Sequence, residues 1–319
     1  MKLQTLYDIA VKKGMKEDQR SKKLIEEELR KAKKEYAGKK GIDKACFDKE
    51  RLKNPYSDTR ILNGSGKEEV RTVMVGIDME VAELLLADRL RDNGIEIDLV
   101  VSHHPEGKAL AQLHRVMDIQ PGLWKKYGLT DEVAFGIMKD RIGEVSRGLS
   151  AANHARPVDA AKLLGIPFMC IHTAADNCVT SYLQELFDSK KPATLKSLVN
   201  LLKRIPEYKQ AMELDAGPHI LVGEEKNKAG RIFVDMTGGT SGPGKLFSRM
   251  HQSGVNTMVG MHCKESSYKI AKSEFINYVI AGHISSDNLG LNLLFDEIEK
   301  KEKLNFIECS GFKRIRRNR

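Results

Sequence analysis

The chain has 319 residues, 41% hydrophobic side chains and a formal net charge of +9. That length allows two domains or one large one with a core that needs no disulfides. No apolar run reaches 18 residues, which excludes a transmembrane helix, and the N-terminus MKLQTLYDIAVKKGMKED lacks an apolar signal region, so a cytoplasmic protein is expected.

In chain order, residues 1–60 read as a basic helical extension, with Leu24, Ile25, Leu29, Ala32 and Tyr36 recurring near helical spacing. They carry 18 Lys or Arg against 11 Asp or Glu. Residues 38–66, rich in Lys, Asp, Gly and Asn, read as an irregular connection. RTVMVGID (71–78) is then a strand, 79–94 a helix ending at Gly94, and IEIDLVVSHH (95–104) a second strand, as a right-handed strand–helix–strand crossover requires. Residues 131–164 read as helix with a break near 153–157, and 166–173 as a strand. A helix over 192–205 leads to strands at 218–225 and 231–237. A helix, the strand NTMVGMH, a helix, the strand NYVIAGH (277–283), a helix from Ser285 and the strand NFIECSGF complete the chain. Alternation of this length means an α/β fold, with mixed, largely parallel sheets flanked by helices in two similar halves. The expected division is the extension 1–60, a first half 61–190, a helical spacer 191–214 and a second half 215–319 with a basic tail from Lys313.

Five cysteines without C-x-x-C spacing argue against a disulfide framework or a zinc knuckle and read as reduced thiols. The positive charge sits at the two chain ends. Such ends could meet nucleic acid or an acidic partner, but no nucleic-acid motif accompanies them, and solvated faces are the simpler reading.

Three strand ends carry the chemistry. VSHHP offers His103 and His104, whose rings can diverge once the chain turns at Pro105. IHTAAD offers His172 and Asp176, four apart, and AGHISSD repeats that spacing with His283 and Asp287. Each carboxylate could instead cap its helix. Taken together, imidazoles and carboxylates at several strand ends favour one cleft and a Zn, Fe, Mn or Ni site. Gly239 to Lys245 matches G-x-x-x-x-G-K, but Leu246 stands where a phosphate loop needs Ser or Thr, and Pro243 removes one backbone donor. Nucleotide hydrolysis at that loop is not expected, although its helix N-terminus could still accept a substrate phosphate. His262 could line the cleft.

The order SHHP, HT-x-x-D, a Gly-rich strand end and GH-x-x-x-acid resembles the NGG-interacting-factor-three-like family, which also carries the label GTP cyclohydrolase I type 2-like. The resemblance spans roughly residues 61–310. It implies a toroidal homohexamer with a dinuclear metal site, ligated by His103, His104, Asp176, His283 and Asp287. At the last position the family usually has Glu, so the bridge here is one methylene shorter and would join two ions less readily. The reading that follows is a metal-dependent hydrolase with two divalent ions and a small, nucleotide-like substrate, in which His172 orients a ligand or carries a proton and Asp78 supports the site. The alternative is a non-catalytic metal-binding regulator that engages nucleic acid or a protein through its basic ends.

Overall fold

In the computed structural model, which describes residues 1–317, nine strands form two sheets. The first contains β1 (Arg60–Asn63), β2 (Thr72–Gly76), β3 (Leu99–Ser102), β4 (Phe168–Cys170) and β9 (Asn305–Glu308), in the order β1-β4-β3-β2-β9. The second contains β5 (His219–Val222), β6 (Ile232–Asp235), β7 (Thr257–Gly260) and β8 (Asn277–Ile280), in the order β5-β8-β7-β6. In each half the first strand runs antiparallel to the fourth and the remaining contacts are parallel. The expected fold class is therefore observed, down to a repeated strand order in the two halves.

The strands are short and almost wholly apolar because both faces are covered: every residue of β2, β3, β4 and β7 is buried. Two strand placements differ from the sequence expectation. β1 lies inside the stretch read as irregular, since four residues with one fully buried position carry too little periodicity to separate them from a loop. β9, last in the chain and grouped by position with the second half, pairs in parallel with β2 of the first sheet. Residues 107–127 fold into short helical turns.

The N-terminal helix Leu3–Glu17 is part of the core. Leu3, Leu6, Tyr7, Ala10 and Val11 are buried, and the helix packs on both Thr173–Lys190 and His283–Ile298. Close approach depends on two glycines. A Cβ on Gly14 would stand 2.7 Å from Ala174, and one on Gly290 would stand 2.5 Å from the carbonyl oxygen of Ala175. Both obstacles include backbone, so they cannot move aside as a flexible side chain would. Gly290→Ala is expected to cost about 1–3 kcal/mol of stability, read from the urea midpoint. An unchanged midpoint would show that the helices are not in contact there.

The described part of the basic tail is docked. Arg314 binds Asp296 at 2.6 Å and Glu299 at 2.7 Å, Arg316 binds Glu299 at 2.8 Å, and Arg317 binds Glu207 at 2.6 Å. Instead of a solvated tail, these cations neutralise acids of the chain itself. Asn318 and Arg319 lie outside the described residues. Burial alone would raise the Glu299 carboxyl, but hydrogen bonds from Arg316 and Arg314 hold it down at about 2. A folded-state value below the unfolded one, about 4.3, stabilises the fold at higher pH. That stabilisation is lost as pH falls through about 2. The acid limb of a stability–pH curve should therefore flatten in Glu299→Gln, and an unaltered limb would refute the assignment. Among the described residues, no helix is long and apolar enough to cross a membrane.

Candidate metal centre

The two sheets present the same local device twice. β4 runs into the helix Thr173–Lys190 and β8 into the helix His283–Ile298. The first turn after each strand carries His-x-x-x-Asp: His172 and Asp176 in one half, His283 and Asp287 in the other. One helical turn puts both side chains of each pair on one face. Because the helices pack against each other, the two pairs meet. His103 and His104, just beyond β3, complete the meeting point. The backbone N–H groups of His103 and His104 donate to Gly76 and Ile77, which holds this turn beside the end of β2.

His103 Nε2 lies 3.4 Å from Asp176 Oδ1 and 3.4 Å from Asp287 Oδ1. The second Asp287 oxygen lies 3.6 Å from Nε2 of both His104 and His283. The His104 and His283 ring centroids are 5.1 Å apart. Neither carboxylate caps its helix, and His103 Nε2, Asp176 Oδ1 and both oxygens of Asp287 are buried without a hydrogen-bond partner. Four orphaned ligand atoms in one place would cost several kcal/mol if nothing joined them. Their spacing fits an ion, since two ligands about 2.1 Å from a tetrahedral centre stand about 3.4 Å apart. The donors fall into sets that could each hold an ion: His103 with Asp176 and Asp287, His104 with His283 and Asp287, and the three imidazoles of His103, His104 and His172. The two sets that share Asp287 make the arrangement consistent with a dinuclear site.

Outer hydrogen bonds fix the imidazoles. His103 Nδ1 donates to the Ile171 carbonyl at 2.9 Å, His104 Nδ1 to Asp78 at 2.6 Å, and His172 Nδ1 to Asp58 at 2.8 Å. A carbonyl or carboxylate can only accept, so each Nδ1 carries hydrogen and Nε2 faces the cluster. The sequence singled out Asp78 but not Asp58. Asp58 is fully buried in the N-terminal segment, and also accepts from Thr173 Oγ1 at 2.6 Å. A carboxylate more than a hundred positions from its imidazole leaves no local spacing to read.

Charge in the cluster is tightly balanced. Burial pushes the His103 imidazolium down, but Asp287 and Asp176 more than reverse it, to about 10. Burial raises the Asp287 carboxyl and His103 lowers it further, for a net decrease. His104 is lowered by burial and by the neighbouring charges of His103 and His172. His172 is raised because Asp176 and Asp58 outweigh burial.

The cluster opens into a cavity of about 370 Å³ bounded by the Gly239–Pro243 loop and by Met236, His262, Lys264 and Tyr278. His262 lines it as expected, its ring 4.9 Å from that of His283. The Gly-rich loop is not arranged as a phosphate loop. Its carbonyls at Gly238 and Thr240 accept from the buried Gln120, and Lys245 is exposed and forms no part of the cavity wall. The remaining histidines, His114, His154, His219 and His251, belong to none of the converging sets.

No family model matches the chain, and no curated protein does. Solved structures do. A NIF3 superfamily protein from Sphaerobacter thermophilus is 25% identical and superposes with a TM-score of 0.71, over 82% of this chain and 94% of that one. The reduced form of HcgD from Methanocaldococcus jannaschii is 14% identical with a TM-score of 0.50, over 84% of this chain and 94% of the other, a likeness of fold.

Proposed function

Starting from a chain that resembles a NIF3 superfamily protein in fold and gathers His and Asp side chains into one cluster, we propose that it is a metal-dependent hydrolase acting on a small, nucleotide-like substrate. The observation that carries the reading is the unpartnered, buried Asp287 carboxylate with imidazoles on both of its sides. His103 and Asp176 would hold one ion, His104 and His283 the other, and Asp287 would bridge them. A pair of divalent ions supplies an activated water and polarises a carbonyl, imine or phosphoryl oxygen. Imidazole and carboxylate together suit Zn, Fe, Mn or Ni.

The chain's own groups do the rest. His172 lines the cavity, and because Nδ1 is committed to Asp58, its Nε2 faces the cluster, 3.8 Å from Asp176. It is the group placed to take a proton from the attacking water and return it to the leaving atom. Asp58 holds the ring and tautomer. Met236, Leu246, Phe247 and Met261 exclude bulk water from one side of the cavity. The reading extends to a cytoplasmic homohexamer, which a solution mass of one chain would contradict.

Elemental analysis of the purified protein should give two transition-metal ions per chain. Turnover of a nucleotide or phosphoester panel should cease on chelation and return on adding metal back. His172→Gln is expected to lower kcat by about 10²–10⁴-fold without altering metal content. A full metal load with no turnover on any member of the panel would leave only the metal-binding role.

A further inference from the structure

Two acids in the cavity wall, Glu106 and Asp235, have no use in the metal centre. Asp235 ends β6, on the same face as Phe233. It lines the cavity shared with His283 and Asp287 but belongs to none of the converging ligand sets. Among the described residues its carboxyl makes no hydrogen bond or ion pair. The other such acid, Glu106, has the charges of Glu80, Asp78 and Arg156 around it, whereas no charged group acts on Asp235. Burial alone pushes the Asp235 carboxyl up, to about 6. Its surroundings are aromatic: the Phe247 and Tyr278 rings stand 5.4 Å apart along this wall, and the Tyr278 hydroxyl is committed to the His262 carbonyl at 3.1 Å. A carboxyl turned toward an open cavity without a donor is stabilised most by a cation with N–H groups to give, and aromatic faces favour that same cation.

We propose that Asp235 is the cavity's specificity-determining residue, selecting a planar substrate group that carries a positively charged N–H pair, of amidinium or guanidinium type. Lys264, on the wall of the same cavity, repels such a group and so directs it to Asp235. The inference rests on reading the cavity as the substrate site of the metal centre.

The test is calorimetric titration of the metal-loaded full chain with benzamidine and with benzamide, which share a ring and differ in charge. Wild-type protein is expected to prefer benzamidine by about tenfold, the scale of one charge-assisted hydrogen bond over a neutral one. Asp235→Asn and Asp235→Ser are expected to bind both ligands alike, with metal content unchanged. Failure of wild-type protein to bind benzamidine, or a preference that survives in both variants, overturns the proposal. Neither titration requires turnover. A preference that depends on Asp235 in a protein that hydrolyses nothing would refute the hydrolase reading and leave this inference standing.

Discussion

Replacing Asp287 by Asn is expected to strip both ions from the protein at once, with apparent metal affinity falling by more than the roughly 10–100-fold seen when an outer partner of a ligand is lost. Its two oxygens face different imidazoles, His103 on one side and His104 with His283 on the other. Converting one oxygen to an amide nitrogen turns an acceptor into a donor, and the bridge cannot then serve both positions. His283→Ala touches only the set it shares with His104, and should leave about one ion per chain. Elemental analysis of the two variants side by side separates them. Equal loss in both would mean a single ion. The substitution also withdraws the largest charge that raises the His103 imidazolium. Burial should then prevail, and the His103 value should drop, which can be followed by NMR titration of the ring in the metal-free variant.

The second large effect is on stability. Arg314 is almost fully buried and its guanidinium is shared by Asp296, Glu299 and the side chain of Asn292. Arg314→Ala is expected to destabilise the fold by about 3–5 kcal/mol, because removing one member of a buried ion pair leaves its partners desolvated. Arg316 also binds Glu299, but its side chain is 44% exposed. Water can replace it, so Arg316→Ala should cost about 1 kcal/mol or less. Matched urea melts of the two variants give the comparison, and similar losses would mean that the tail is not docked as described. The last described turn thus clamps the helix His283–Ile298 that carries Asp287.

Much of this centre was legible without coordinates. His103, His104, Asp176, His283 and Asp287 could be singled out because each follows an apolar run too short to be anything but a buried strand, and because the His-x-x-x-Asp spacing occurs twice. Spacing alone left capping as a competitor for both carboxylates. Only packing removed it, since a caps-or-ligand decision depends on what faces the oxygens. Asp58 and Asp235 were missed for different reasons. Asp58 lies in a segment without strand or helix periodicity, while Asp235 reads as one more polar strand end. The basic tail misled in the opposite sense, because a run of arginines looks the same whether it meets solvent or three acids of its own chain.

The sequence by itself determined the α/β class, the alternation repeated in two halves and the identity of the convergent His and Asp residues. All three depend on local periodicity and strand-to-helix junctions, which are properties of neighbouring residues. The tertiary structure decided that β9 returns to the first sheet, that the N-terminal helix is core, and that Asp58 orients His172. These are contacts between residues from 100 to more than 200 positions apart, and no local preference encodes which distant surface will bury which.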